Sequence, residues 1–183
     1  MRGSITSGWL LFVAILLVAF SCSKEPLVNP AFDDELIQAK ALHEMPFQGV
    51  YTTYPVLISD QNGLLTFEIP SEGKATFLGD NSRWFSLSRI NTNIDLDPET
   101  AVPEFPQRGD MTFTAENGDL LFGEFLGMSI PGGAETPFAG NGSYTITGGT
   151  GQFVDCTGYG TYYYSLNADF IGRLHWDGML VRR

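Results

Sequence analysis

The sequence predicts an all-β fold: an antiparallel barrel of approximately eight strands, with a short N-terminal helix and, ahead of both, a signal peptide. Three observations carry this. From Phe47 onward, short apolar and aromatic runs alternate with Gly, Asn and Pro at intervals of roughly 8–12 residues, the rhythm of sandwiches and barrels. Asn117-Gly118 stands between two alternating runs, and that dipeptide suits the φ > 0 positions of a type I′ hairpin turn. Gly148, Gly149, Gly151, Gly158 and Gly160 crowd one further hairpin, where glycines in strands mark bends at which a sheet coils shut.

The chain opens with Arg2 and then the 12-residue uncharged run Trp9–Phe20. This is shorter than the ~20 residues a spanning helix needs and has the length of a signal-peptide core. Ser21-Cys22 follows at once, and a small residue before a Cys resembles the lipobox of bacterial lipoproteins. That resemblance implies cleavage before Cys22 and lipidation of Cys22 with acyl chains of the palmitate type. It also implies export to the bacterial cell envelope and anchoring to a membrane, the outer membrane for preference. Each buried CH₂ contributes about 0.8 kcal/mol, and stable anchoring takes more than one chain. A plain secretory signal cut near Ser21 and a retained anchor are the other two readings.

Removing residues 1–21 leaves 162 residues, enough for one domain with a real core. The chain carries −11 (10 basic, 21 acidic residues) and, without Arg2, −12. Nucleic acid is thereby excluded as a partner, since it rewards basic patches. With Cys22 committed, Cys156 has no intrachain partner, and it reads as a small buried apolar residue.

Residues 22–46 divide into a tether, with Pro26 and Pro30, and a helix over 32–44, with Asp33 and Asp34 at its start and Pro46 beyond its end. The barrel domain is 47–183. Strands are expected at 47–57, 63–69, 72–79, 83–91, 109–115, 119–127, 137–147, 159–167 and 171–181. Residues 92–108 hold Pro98, Pro103 and Pro106 and read as a long loop, either a functional lid or slack chain. Alternation places Met111, Phe113 and Ala115 on one face. It also puts Phe122 and Leu126 opposite Leu121 and Phe125, so both faces of that strand are partly apolar. A barrel wall covered from outside, or facing a second copy, has that pattern.

Gly148-Gly149-Thr150-Gly151-Gln152-Phe153, Thr157-Gly158, the hairpin TFTAENGDLLFGEF and Gly73-Lys74-Ala75-Thr76-Phe77-Leu78-Gly79 together resemble segments of the allene oxide cyclase and dirigent barrel superfamily. They are closer still to small secreted bacterial proteins of that type. The resemblance covers roughly residues 47–181. It implies an eight-stranded antiparallel barrel, often oligomeric, whose cavity in the plant members holds a hydrophobic substrate. Its motifs are turns and glycines, so no catalytic residue carries across.

An eight-stranded barrel is either filled by side chains or holds one small ligand. Trp84, Tyr144, Tyr162 and Tyr164 are the aromatic candidates for lining such a site, against the plainer reading of a core. Arg173, His175 and Asp177 share one face of the last strand and form the one constellation with acid–base chemistry. A solvated outer face explains the same spacing. His43 closes the expected helix. No spacing calls for a metal or a cofactor. The reading is a lipid-anchored barrel that binds a small apolar ligand or a partner. The alternatives are a cyclase- or isomerase-like enzyme using Arg83, Arg89, Tyr144 or His175, and a self-associating envelope protein.

Overall fold

The protein is described by a computed structural model over residues 43–93 and 103–182. Its strands are β1 (His43–Thr53), β2 (Val56–Gln61), β3 (Leu64–Ala75), β4 (Gly79–Asn91), β5 (Phe105–Thr114), β6 (Leu120–Pro131), β7 (Phe138–Gly149), β8 (Cys156–Leu166) and β9 (Gly172–Arg182). All pairings are antiparallel, in the order β1-β9-β8-β7-β6-β5-β4-β3. Strand β3 then returns to β1, from Gly49↔Ala75 to Thr53↔Ser71. Eight strands therefore close into a barrel, and β2 is an extra strand on the outer edge of β3.

The signal peptide, Cys22 and most of the expected helix lie outside the described residues. His43 and Glu44, assigned above to the end of that helix, instead open β1 and pair with Arg182 and Val181. Pro46 pushes Met45, the residue before it, toward extended backbone, and pairing with β9 carries the strand back to His43.

The expected strand 47–57 is split, β1 ending at Thr53 and β2 beginning at Val56, and prolines explain two further differences. The expected strands 63–69 and 72–79 are one strand, β3, whose outer edge is shared. Residues 64–68 pair with β2 and residues 71–75 with β1. Pro70 falls at the handover, where neither strand needs its missing N–H, and its carbonyl still accepts from Tyr54 N at 3.0 Å. The expected loop 92–108 ends early, because β5 starts at Phe105. Pro106 pairs with Met128 on β6, while β4 joins only at Gln107↔Ile90, so the proline sits at a strand start with one side free.

The type I′ turn is made by a different dipeptide from the one expected. Asn62 (φ 53) and Gly63 (φ 83) form the two-residue connection between β2 and β3. At Asn117-Gly118 only Gly118 is left-handed (φ 91). The Asn117 side chain there accepts from Asp119 N at 3.0 Å, a longer loop closed by an Asx contact.

Along most of the barrel strands burial alternates, whereas β2 is exposed almost throughout. Phe47, Gly49, Tyr51 and Thr53 of β1 point inward, as do Ser82, Trp84, Ser86 and Ser88 of β4. The outer wall carries exposed charges such as Asp110, Glu124, Arg173 and Asp177. One end is sealed. The glycine-rich β7–β8 connection turns through Gly151 (φ 55) and drives Phe153 inward against a layer that includes Leu78, Leu121, Ile146 and Leu180. Cys156, 2% exposed, packs in the same plug. The loop's Gln152 N–H donates to Asp119 Oδ2 at 3.0 Å, so this loop is a lid on the core.

Candidate functional site: an aromatic-floored cavity

The middle of the barrel is filled by rings. Trp176, in the centre of β9, is 2% exposed. It meets Tyr144, Tyr162, Phe113 and Trp84 at centroid distances of 5.0, 5.3, 5.4 and 5.5 Å. So many rings fit because glycines stand opposite them. Tyr162 pairs with Gly142, which pairs with Gly127. A Cβ on Gly142 would lie 2.7 Å from the Tyr162 ring, and one on Gly127 would lie 2.6 Å from its hydroxyl. Tyr144 runs the other way, across Gly160 and then Gly178. Phe125 lies over Gly109 and Tyr164 over Gly140 in the same manner. The strand glycines are therefore the footprints of flat-lying aromatics.

Above this layer, at the end opposite Phe153, the barrel is hollow. A cavity of about 140 Å³ has Trp84, Phe125, Tyr162 and Trp176 in its floor and residues such as Phe67, Ile69 and Leu174 in its walls. For scale, an engineered apolar cavity of 150 Å³ stays dry and takes up benzene. Of the aromatic candidates, Trp84, Tyr162 and Tyr164 line this space. Tyr144 does not; it is packed in the filled layer, 2% exposed, beside Phe47 and Trp176.

Among the described residues the lining contains no charged group, and its polar atoms are few. Tyr164 OH donates to Ser129 Oγ at 2.9 Å, and Gln107 Nε2 donates to Ser88 Oγ at 2.9 Å. Gln107 Oε1, Tyr162 OH and the indole nitrogens of Trp84 and Trp176 are buried with no hydrogen-bond partner among the described residues. Burial pushes the phenols of Tyr51, Tyr144 and Tyr162 far above the ordinary 10.0, and Tyr164 rises for the same reason.

That burial fixes an alkaline limit. From about pH 10 upward the unfolded chain sheds phenolic protons that the folded barrel keeps. The unfolded state then binds fewer protons, and stability falls as pH rises. Phenolate absorbance from these four tyrosines is expected to appear only together with loss of the β circular dichroism signal. Ionisation of every tyrosine with the sheet intact would contradict their placement.

The charged row lies elsewhere. Arg173 and Asp177 are exposed on the outer wall, and His175 is half-buried between them. The His175 ring stacks on Tyr163 at 4.4 Å and 7°. Partial burial and then the Arg173 charge hold its pKa below the usual value. Asp177 Oδ1 accepts from Gln48 Nε2 at 3.3 Å. Arg83 also projects outward, and Arg89 faces Asp110 on the surface at 3.9 Å. None of these five lines the cavity. Phe85, Phe122 and Leu126 are exposed on the same outer surface.

Gln107, Ser88 and Ser129 were not anticipated. Gln107 falls inside the proline-marked stretch 92–108, which predicts a loop. The signal that would have found it is the period-two series Gln107, Gly109, Met111, Phe113, Ala115, which reaches two residues further back than the strand drawn there.

No known protein family matches the chain, and no curated protein does.

Proposed function

We propose that this chain is an exported bacterial envelope protein, held to a membrane by lipid on Cys22, whose barrel binds a small apolar ligand. The observation that carries the reading is the cup itself: one end plugged by Phe153, the middle filled by rings, and the other end a cavity of about 140 Å³. Concave, mostly apolar pockets with a few placed polar groups are the usual form of ligand sites. Binding is favoured over catalysis because the charged candidates Arg83, Arg89, Arg173, His175 and Asp177 all stand on the outer wall. Anchoring rests on the short apolar run ending at Ser21-Cys22. The resemblance to allene oxide cyclase and dirigent barrels agrees with a closed eight-stranded ring.

Trp84 and Trp176 in the floor make the protein its own reporter. Titration with toluene is expected to shift tryptophan emission saturably at millimolar concentration or below, a binding free energy of about −4 kcal/mol or stronger. Native mass spectrometry is expected to show one ligand per chain. Absence of any saturable change up to the solubility of toluene would remove the binding reading.

A further inference from the structure

We infer that the cavity is an aromatic cage for an N-methylated organic cation, a quaternary ammonium group above all. This rests on the binding reading above and says what kind of small apolar molecule the cup takes.

Among the described residues, nine of the twenty that line the cavity are Phe, Tyr or Trp, against 13% in the whole chain. Glycines set how three of these rings lie. A Cβ on Gly109, Gly142 or Gly140 would come within 2.7 Å of Phe125 Cζ, Tyr162 Cε1 or Tyr164 Cζ respectively. Each ring is thus spread over the wall, with one face to the sheet and the other to the space it lines. Trp84 and Trp176 complete the floor, inclined to each other by 55°. Aromatic faces carry negative potential. A cation within about 6 Å of a ring centroid is attracted by it, more strongly once water is removed.

Methylation follows from the polar inventory. An N–H buried without an acceptor is costly. Tyr164 OH and Ser129 Oγ are committed to each other, as are Gln107 Nε2 and Ser88 Oγ, while Gln107 Oε1 and Tyr162 OH are buried away from the space. A fully methylated nitrogen has no N–H to satisfy and turns apolar surface to the rings.

The entrance has the matching sign. Phe170 lines the cavity and is 49% exposed, so the space reaches solvent. The turns at this end, 54–55, 62–63, 132–137 and 167–171, and the described ends of the β4–β5 connection, 92–93 and 103–104, carry Glu104, Glu135 and Asp169 and no Lys, Arg or His. The remaining sequence of that connection, 94–102, contains Asp95, Asp97 and Glu99 and again no basic residue. A cleft edged by one sign of charge gathers ions of the other.

The test sets choline against neohexanol, which has carbon in place of the charged nitrogen, and against the anion tert-butylacetate. It uses the full-length protein, read by tryptophan emission and titration calorimetry. Choline is expected to bind about 5-fold or more tightly than neohexanol, and tert-butylacetate most weakly. In Phe125→Leu, and in Phe138→Leu at the half-buried rim, choline's advantage should shrink about 2-fold or more. Neohexanol should still bind to both, which shows that the cavity is folded; if Phe125→Leu does not fold, Phe138→Leu decides. Neohexanol binding as tightly as choline overturns the inference and leaves the binding module standing. Equal binding of tert-butylacetate, or failure of choline where toluene binds, does the same. An advantage unchanged in the folded variants overturns the rings as its source. Failure of all three probes and of toluene overturns both readings.

Discussion

Trp176→Ala is expected to lower the stability of the barrel by about 3–5 kcal/mol, the range for removing a large aromatic from a packed core. For a domain of this size that corresponds to roughly 10–20 °C in the thermal midpoint. The reason lies in position as much as in size. Trp176 pairs with Gly49 on β1 and with Tyr162 on β8, so its indole has room to lean into the axis. There it contacts rings from β4, β5, β7 and β8. Its removal leaves a void that joins the existing cavity and deprives the floor of support. Tyr144 and Tyr162 cannot readily collapse into the gap, since each is held flat over its own glycines. Trp84→Ala is a useful comparison, because among the rings of the described residues Trp84 meets only Phe125 and Trp176, at 6.4 and 5.5 Å, and should cost less. A midpoint for Trp176→Ala within a few degrees of the unaltered protein would show that the core is not organised around this residue.

The same arrangement shows how much of the molecule was legible beforehand. The inward set Leu174, Trp176 and Leu180 and the outward row Arg173, His175 and Asp177 follow from period-two alternation, which a strand enforces residue by residue, while the glycine-crowded hairpin is what points to a sheet that coils shut. What alternation does not carry is which strand meets which. Residues 64–75 looked like two strands because Pro70 interrupts the run, and only the exchange of β2 for β1 along one edge shows why the break is harmless. Phe105–Arg108 looked like loop because proline is normally excluded from paired positions. Its tolerance depends on β4 joining one residue later, a fact of register. The hollow was not legible at all. Whether Trp84 and Tyr162 face a filled core or an empty space depends on the small residues across from them, Ser88, Ser129, Gly127 and Gly142 among them. Those are brought together by pairings between residues far apart in the chain.

Gly160→Ala is the second substitution with a large expected effect, and it tests the pairing of glycines with rings directly. A Cβ at Gly160 would run into the carbonyl oxygen of Asp177 on β9 and lie 2.6 Å from both Cε1 and the hydroxyl of Tyr144. None of these is a flexible side-chain end. The Asp177 carbonyl belongs to the β8–β9 ladder. The Tyr144 ring is pinned by Trp176 at 5.0 Å and 87° and by Phe47 at 6.4 Å. Overpacking of this kind typically costs about 1–3 kcal/mol, and here the upper end or beyond is expected, because both a strand and a buried ring must shift. Gly133→Ala is the control, since nothing lies within 4 Å of its Cβ position. It should change stability by no more than about 0.5 kcal/mol. Adding Tyr144→Leu to Gly160→Ala separates the two obstacles. If the ring is the main one, the double variant is more stable than the sum of the single losses predicts, by about 0.5–3 kcal/mol of coupling. Strict additivity would place the whole cost on the Asp177 carbonyl. A Gly160→Ala protein as stable as Gly133→Ala would mean that the glycines do not make the space in which the rings lie, and the floor of the cavity would then need another explanation.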